Sequence, residues 1–174
     1  VNLTTANVYV LKDPGVYRAG MEASFRSGET GVIDGSGDKV EWNAFGIASE
    51  FAYRPQKSKW NWWLRAGYAT GNNPNDPSKF QTYMFNRNYQ VAMLLFNQPL
   101  GQDDFLSNRL LTGSVYDTGT HDIDAANVEG ISNVLYLAST ASWKFADRLS
   151  LDNTLATGWL SSNPIVGQHS GSDL

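Results

Sequence analysis

The chain has 174 residues, no cysteine and a formal net charge of -4. Those numbers exclude a disulfide framework or a Cys-based metal or redox site, and they argue against a nucleic-acid partner, which would want a basic stripe. Mean hydropathy is -0.36, and no apolar run approaches the roughly 20 residues of a transmembrane helix; the longest is Val91 to Phe96. A membrane is not thereby excluded, because a barrel strand turns only alternate residues toward lipid. Aromatic residues reach 13%, glycines number 16 and charged residues are only 17%, against a typical charged share of about 25%. The chain starts Val1-Asn2-Leu3, as a secreted protein stripped of its targeting segment would, and as an excised piece would.

Period-two alternation dominates the chain and predicts strands. A weak strand near 4–11 ends at the turn Lys12-Asp13-Pro14-Gly15. The next, near 16–26, sets Tyr17, Ala19, Met21, Ala23 and Phe25 against Arg18, Gly20, Glu22, Ser24 and Arg26. A Gly/Asp-rich stretch from Ser27 to Asp38 reads as a loop. A third strand near 40–54 presents Phe45, Ile47, Ser49, Phe51 and Tyr53 opposite Ala44, Gly46, Ala48, Glu50, Ala52 and Arg54. After the polar turn Pro55 to Lys59, a fourth near 60–70 shows Trp60, Trp62, Leu64 and Tyr68 against Trp63, Arg65 and Gly67. Residues 71–132, with Pro74, Pro77, Pro99 and several Asn/Asp clusters, read as one long outer loop. Strands near 133–145 and 149–160 follow, joined by Ala146-Asp147-Arg148.

The expected fold is all-β: an antiparallel transmembrane β-barrel, to which this chain contributes about six strands. Two patterns favour lipid over a soluble core. Short connections alternate with long polar ones, as in outer-membrane barrels with short periplasmic turns. Tyr17, Tyr53, Trp60, Trp62, Trp143 and Phe145 lie beside the short turns, while Phe25, Phe45, Tyr68 and Trp159 lie near the opposite strand ends. Rings gathered at both rims of an apolar band suit the two interfaces of a bilayer. On this reading the chain starts and finishes on the outer side. Six strands are fewer than the eight of the smallest single-chain barrels, and no terminal aromatic closes the chain at Leu174. A central piece of a larger barrel is therefore expected.

The segment Trp60-Asn61-Trp62-Trp63-Leu64-Arg65-Ala66-Gly67-Tyr68-Ala69-Thr70-Gly71-Asn72-Asn73, with Asn86-Arg87-Asn88-Tyr89 through Leu94-Leu95-Phe96-Asn97, resembles porin-type barrels of Gram-negative bacteria and is similar in style to the alginate-export group. The resemblance implies a barrel of more than a dozen strands in the outer membrane, conducting hydrophilic or anionic solutes. It carries over no ligand residue.

The inward set is Arg18, Glu22, Arg26, Glu50, Arg54, Arg65, Lys144 and Asp152. Such side chains can line a pore and set ion preference; alternatively, Arg–Glu pairs, Arg18 or Arg65 with Glu22 or Glu50, satisfy one another in a packed lumen. Five basic residues against three acidic ones lean toward anions. Tyr83-Met84-Phe85 and Val91 to Phe96 are too apolar for a freely solvated loop, so 71–132 has three options: fold into the lumen, pack on the rim, or form another hairpin. In the first case Arg87 and Arg109 are constriction candidates; ordinary loop anchoring is the alternative.

No catalytic constellation, cofactor or metal site is expected. Asp122 to Asn127 resembles a calcium loop but lacks its glycine and distal glutamate. His169-Ser170 has no orienting acid, and His121 stands alone in a polar loop. The expected partners are the lipid bilayer, lipopolysaccharide and the remaining strands of the same barrel, with homo-oligomerisation left open. A structural or adhesive barrel with a blocked lumen and a soluble β-rich binding domain are the competing readings.

Overall fold

A computed structural model describes residues 2–33, 37–73, 76, 78–86, 89, 91 and 131–162. Seven strands follow in chain order: β1 (Asn2–Lys12), β2 (Tyr17–Ile33), β3 (Lys39–Tyr53), β4 (Trp60–Ala69), β5 (Lys79–Phe80), β6 (Val134–Ala146) and β7 (Leu149–Leu160). They form one sheet in the order β1-β2-β3-β4-β6-β7, with β5 beside β3. All neighbours are antiparallel except β3 and β5. There is no helix among the described residues, and hence none long and apolar enough to cross a membrane. The fold is the all-β antiparallel sheet that the alternation predicts. It is not closed, since β1 and β7 each pair with a single neighbour.

Two strand predictions need correcting. Strand β2 runs through Ile33, into residues expected to be loop. Their Gly and Glu content argues against a strand locally, but Asn2 pairs with Glu29 on one side and Trp42 with Gly28 on the other. The Thr30 hydroxyl donates to the Val40 carbonyl at 2.8 Å, and Lys39 meets Glu29 at 2.8 Å. Ladder partners outweigh propensity here. The 71–132 stretch, expected as a single loop, also contributes β5 and a bridge between Met84 and Ser132.

The short connections follow turn chemistry. Gly15 takes φ of 95°, and its N–H is accepted by the Asp13 carboxylate at 3.2 Å, an Asx-type turn that Pro14 pre-sets. Between β6 and β7 only Asp147 and Arg148 intervene. Two-residue hairpins favour turns with positive φ, yet neither residue has it. A register shift between Lys144 and Ala146 accompanies this turn.

At the opposite end, Asn133 enters β6 with φ of 48°. Its side-chain oxygen accepts from the Ser161 hydroxyl and the Ser162 N–H, each at 2.8 Å, and its amide donates to the Ser162 carbonyl at 2.9 Å. Asn tolerates this left-handed geometry better than most residues. Asn133→Ala is expected to destabilise the protein by about 2–4 kcal/mol, from three lost hydrogen bonds and a strained φ. Asn133→Gly relieves the strain and should recover about 1 kcal/mol of that loss. Denaturant titrations of both variants check the order.

Candidate functional site: the charged face of the sheet

Register sorts the side chains into two faces. One carries Val8, Val10, Met21, Phe25, Tyr53, Trp60, Trp62, Leu135, Leu137, Trp143, Leu151, Leu155 and Trp159, all exposed. The other carries Arg18, Gly20, Glu22, Ser24 and Arg26 from β2, and Ala44, Gly46, Ala48, Glu50 and Ala52 from β3. Trp63, Arg65 and Gly67 from β4 continue that face into Tyr136, Ala138 and Thr140 of β6.

Burial is inverted relative to a soluble sandwich. Leu155 is 75% exposed, whereas Tyr136 and Ala138, on the small-residue face, are 1% and 2% exposed. Water-facing apolar patches on monomeric soluble proteins rarely exceed a few hundred Å²; here apolar side chains dominate a sheet face that Ser49, Ser139, Asn153 and Thr157 interrupt. Its rings also line up across strands. Tyr17 pairs with Tyr53, Tyr53 with Trp62, and Trp60 with Trp143. The Trp60 and Trp143 rings stack at 5.1 Å, and Trp143 meets Phe145 at 4.1 Å. At the other rim Phe25 pairs with Phe45, Phe45 lies 6.4 Å from Tyr68, and Tyr68 pairs with Leu135, which pairs with Trp159. From Tyr17 to Phe25 is about 26 Å of strand at ~3.3 Å per residue, the scale of a roughly 25 Å apolar barrel band before tilt shortens it.

The core sits on the charged face, toward its long-loop end. After β4 the chain doubles back at Thr70, whose N–H donates to the Phe45 carbonyl at 2.9 Å and whose carbonyl accepts from Tyr83 N–H at 2.9 Å. The Thr70 hydroxyl accepts from Phe45 N–H at 3.0 Å and lies against the Gln81 carbonyl. The returning segment lays Tyr83, Phe85, Tyr89 and Val91 over Ala69, Val134, Tyr136 and Ala138. Two glycines make room for it. A Cβ on Gly46 would collide with the Tyr83 ring, and one on Gly67 with the Tyr136 ring. The Tyr89 and Tyr136 hydroxyls hydrogen-bond to one another. Burial pushes the Tyr89 phenol above its ordinary range, outweighing the opposite pull of that bond. The described part of 71–132 packs on the sheet's charged face.

The predicted charged residues fare differently. Arg65 pairs with Glu50 at 3.4 Å and donates to the Val91 carbonyl at 3.3 Å. Arg26 lies over the Trp42 ring at 5.7 Å and the Tyr83 ring at 5.1 Å, a cation–π arrangement. Arg54 and Lys144 sit at the short-turn rim, beside Asp13 (3.4 Å) and Asp147 (3.7 Å). Arg18, Glu22 and Asp152 make no ion pair among the described residues. Trp42, Trp63, Tyr83, Tyr89 and Tyr136 belong to this face and were not singled out from sequence. For Trp42, Trp63 and Tyr136 the available signal was a large ring at the parity of Gly, Ala and Arg; Tyr83 and Tyr89 lie in no strand and offered none. Arg87, Arg109, His121, Asp122 to Asn127, His169 and Ser170 lie outside the described residues.

No group of side chains suited to a metal ion occurs among the described residues. No family model, curated protein or solved structure matches this chain.

Proposed function

We propose that this chain is wall of a bacterial outer-membrane β-barrel, lining a water-filled passage for hydrophilic solutes with a lean toward anions. Transport is passive diffusion without a covalent step. The observation that carries this reading is the predominantly apolar, ring-bordered face opposite a charged one. Lipid covers the first face and water fills the space before the second. In a bilayer every backbone donor and acceptor must be paired, so the free edges of β1 and β7 take further strands, either of the same barrel or of a neighbouring copy. Phospholipid and lipopolysaccharide are the surrounding partners.

Glu22, Glu50 and Arg65 line the passage, and Arg18, Arg54 and Lys144 line its short-turn mouth. Planar-bilayer recording tests this: the protein should give stable single-channel steps. Charge reversal at Arg18 should move the zero-current potential in a salt gradient toward cations, because rings of lining charge set selectivity. An absence of current removes the transport role, and an unchanged potential removes Arg18 from the lining.

One observation favours a second reading. Tyr83, Phe85, Tyr89 and Val91 cover part of the charged face and bury Tyr136, as a plug would. A structural or adhesive barrel with a blocked interior would show the same detergent extraction and no conductance.

A further inference from the structure

Beside the short-turn rim, the charged face holds a cavity of about 170 Å³ bordered by Arg18, Glu50, Ala52, Arg54, Trp63 and Arg65. Three guanidinium groups thus share one opening with a single carboxylate. That carboxylate is committed, since Glu50 faces Arg65 Nε at 3.4 Å. Arg18 has no ion pair among the described residues, and Arg54 reaches Asp13 only through its terminal Nη2, at 3.4 Å. The Nε of Arg54 is buried and has no hydrogen-bond partner. The rest of the Arg54 side chain is 41% exposed and its guanidinium is paired with Asp13, so only the Nε–H lacks an acceptor.

We propose that this cavity is a discrete, saturable binding site for a small oxyanion, a carboxylate or a phosphate. The anion's oxygens accept from the Arg18 guanidinium and from that of Arg54, whose planar forks match such groups. Its charge offsets the Arg18 guanidinium, which neither Glu50 nor Asp13 compensates. The Trp63 indole provides an apolar wall for a short carbon skeleton. The size fits, because a cavity of about 150 Å³ already admits benzene. The site rests on the charged face being open to water, which is part of the reading above, but it does not require a conducting pore.

The test uses the full chain folded in lipid nanodiscs and labelled with ¹⁵N, titrated separately with inorganic phosphate and with acetate at constant ionic strength set by chloride. One arginine Nε–H resonance, absent from Arg54→Lys, should move saturably with at least one anion. Response to phosphate alone assigns a phosphoryl ligand; response to acetate assigns a carboxylate. Arg18→Gln should raise the half-saturation concentration at least tenfold. Arg54→Lys keeps the charge and should abolish saturation at the remaining resonances, so it carries the test even where Arg18→Gln fails to fold. A uniform, non-saturating drift of all arginine signals overturns the site, as does unchanged affinity in both variants. Saturable binding in a protein that passes no current keeps the site and removes the pore. Current without saturable binding does the reverse.

Discussion

Leu155→Arg is expected to cost about 2–4 kcal/mol of folding free energy in a bilayer, the penalty for a cation at the midplane of a barrel's lipid face. Leu155 lies mid-strand in β7 and is 75% exposed. Its cross-strand partner is Ser139, which accepts a hydrogen bond from Trp62 Nε1 at 2.7 Å. In water so exposed a leucine is replaced almost without effect, within roughly 0.5 kcal/mol. The neighbouring Thr154 is the control. It points to the charged face, and its hydroxyl meets that of Thr140 at 2.9 Å. Thr154→Arg loses that bond and should cost at most about 1.5 kcal/mol. Denaturant titrations in phospholipid vesicles measure both. Equal costs at Leu155 and Thr154 would rule out a lipid-facing side to this sheet.

Tyr136→Ala should destabilise the protein by about 3–5 kcal/mol, as large aromatic truncations in packed sites do. Tyr136 is 1% exposed and its ring packs edge-on to Phe85 at 6.2 Å, with Tyr89 at 6.3 Å. Truncation removes the surface on which the returning segment rests. Tyr136→Phe removes only the hydroxyl shared with Tyr89 and should cost about 1 kcal/mol. The same pair of variants separates the functional readings. In an open pore, Tyr136→Ala frees the segment and raises single-channel conductance, while Tyr136→Phe leaves it near wild type. In a blocked barrel, current should appear only in the alanine variant. If conductance is unchanged in both, the segment does not set the width of the passage.

Much of this architecture was legible because β-strand side chains alternate strictly. Glu50 and Arg65 read as one face from parity alone, and so did Trp60 and Trp62 as the other. Strand ends read less well: the Gly and Glu residues beyond Arg26 looked like loop, since the ladders that extend β2 to Ile33 come from β1 and β3, distant in sequence. The position of Tyr83 was not legible either. A ring in a Pro/Asn-rich segment has no periodicity to orient it, and only the approach to Gly46 explains where it goes.

The sequence by itself determined the class of fold and the partition into an apolar, ring-bordered face and a charged one, because both follow from period two and residue chemistry. Tertiary structure alone decided the register that aligns Tyr17, Tyr53 and Trp62 into one rim and the pairing of Arg65 with Glu50 rather than Glu22. It also decided the burial of Arg54 Nε and the packing of Tyr83, Phe85, Tyr89 and Val91 onto the charged face. Each of these depends on contacts between strands or segments far apart in the chain, which no local pattern of residues specifies.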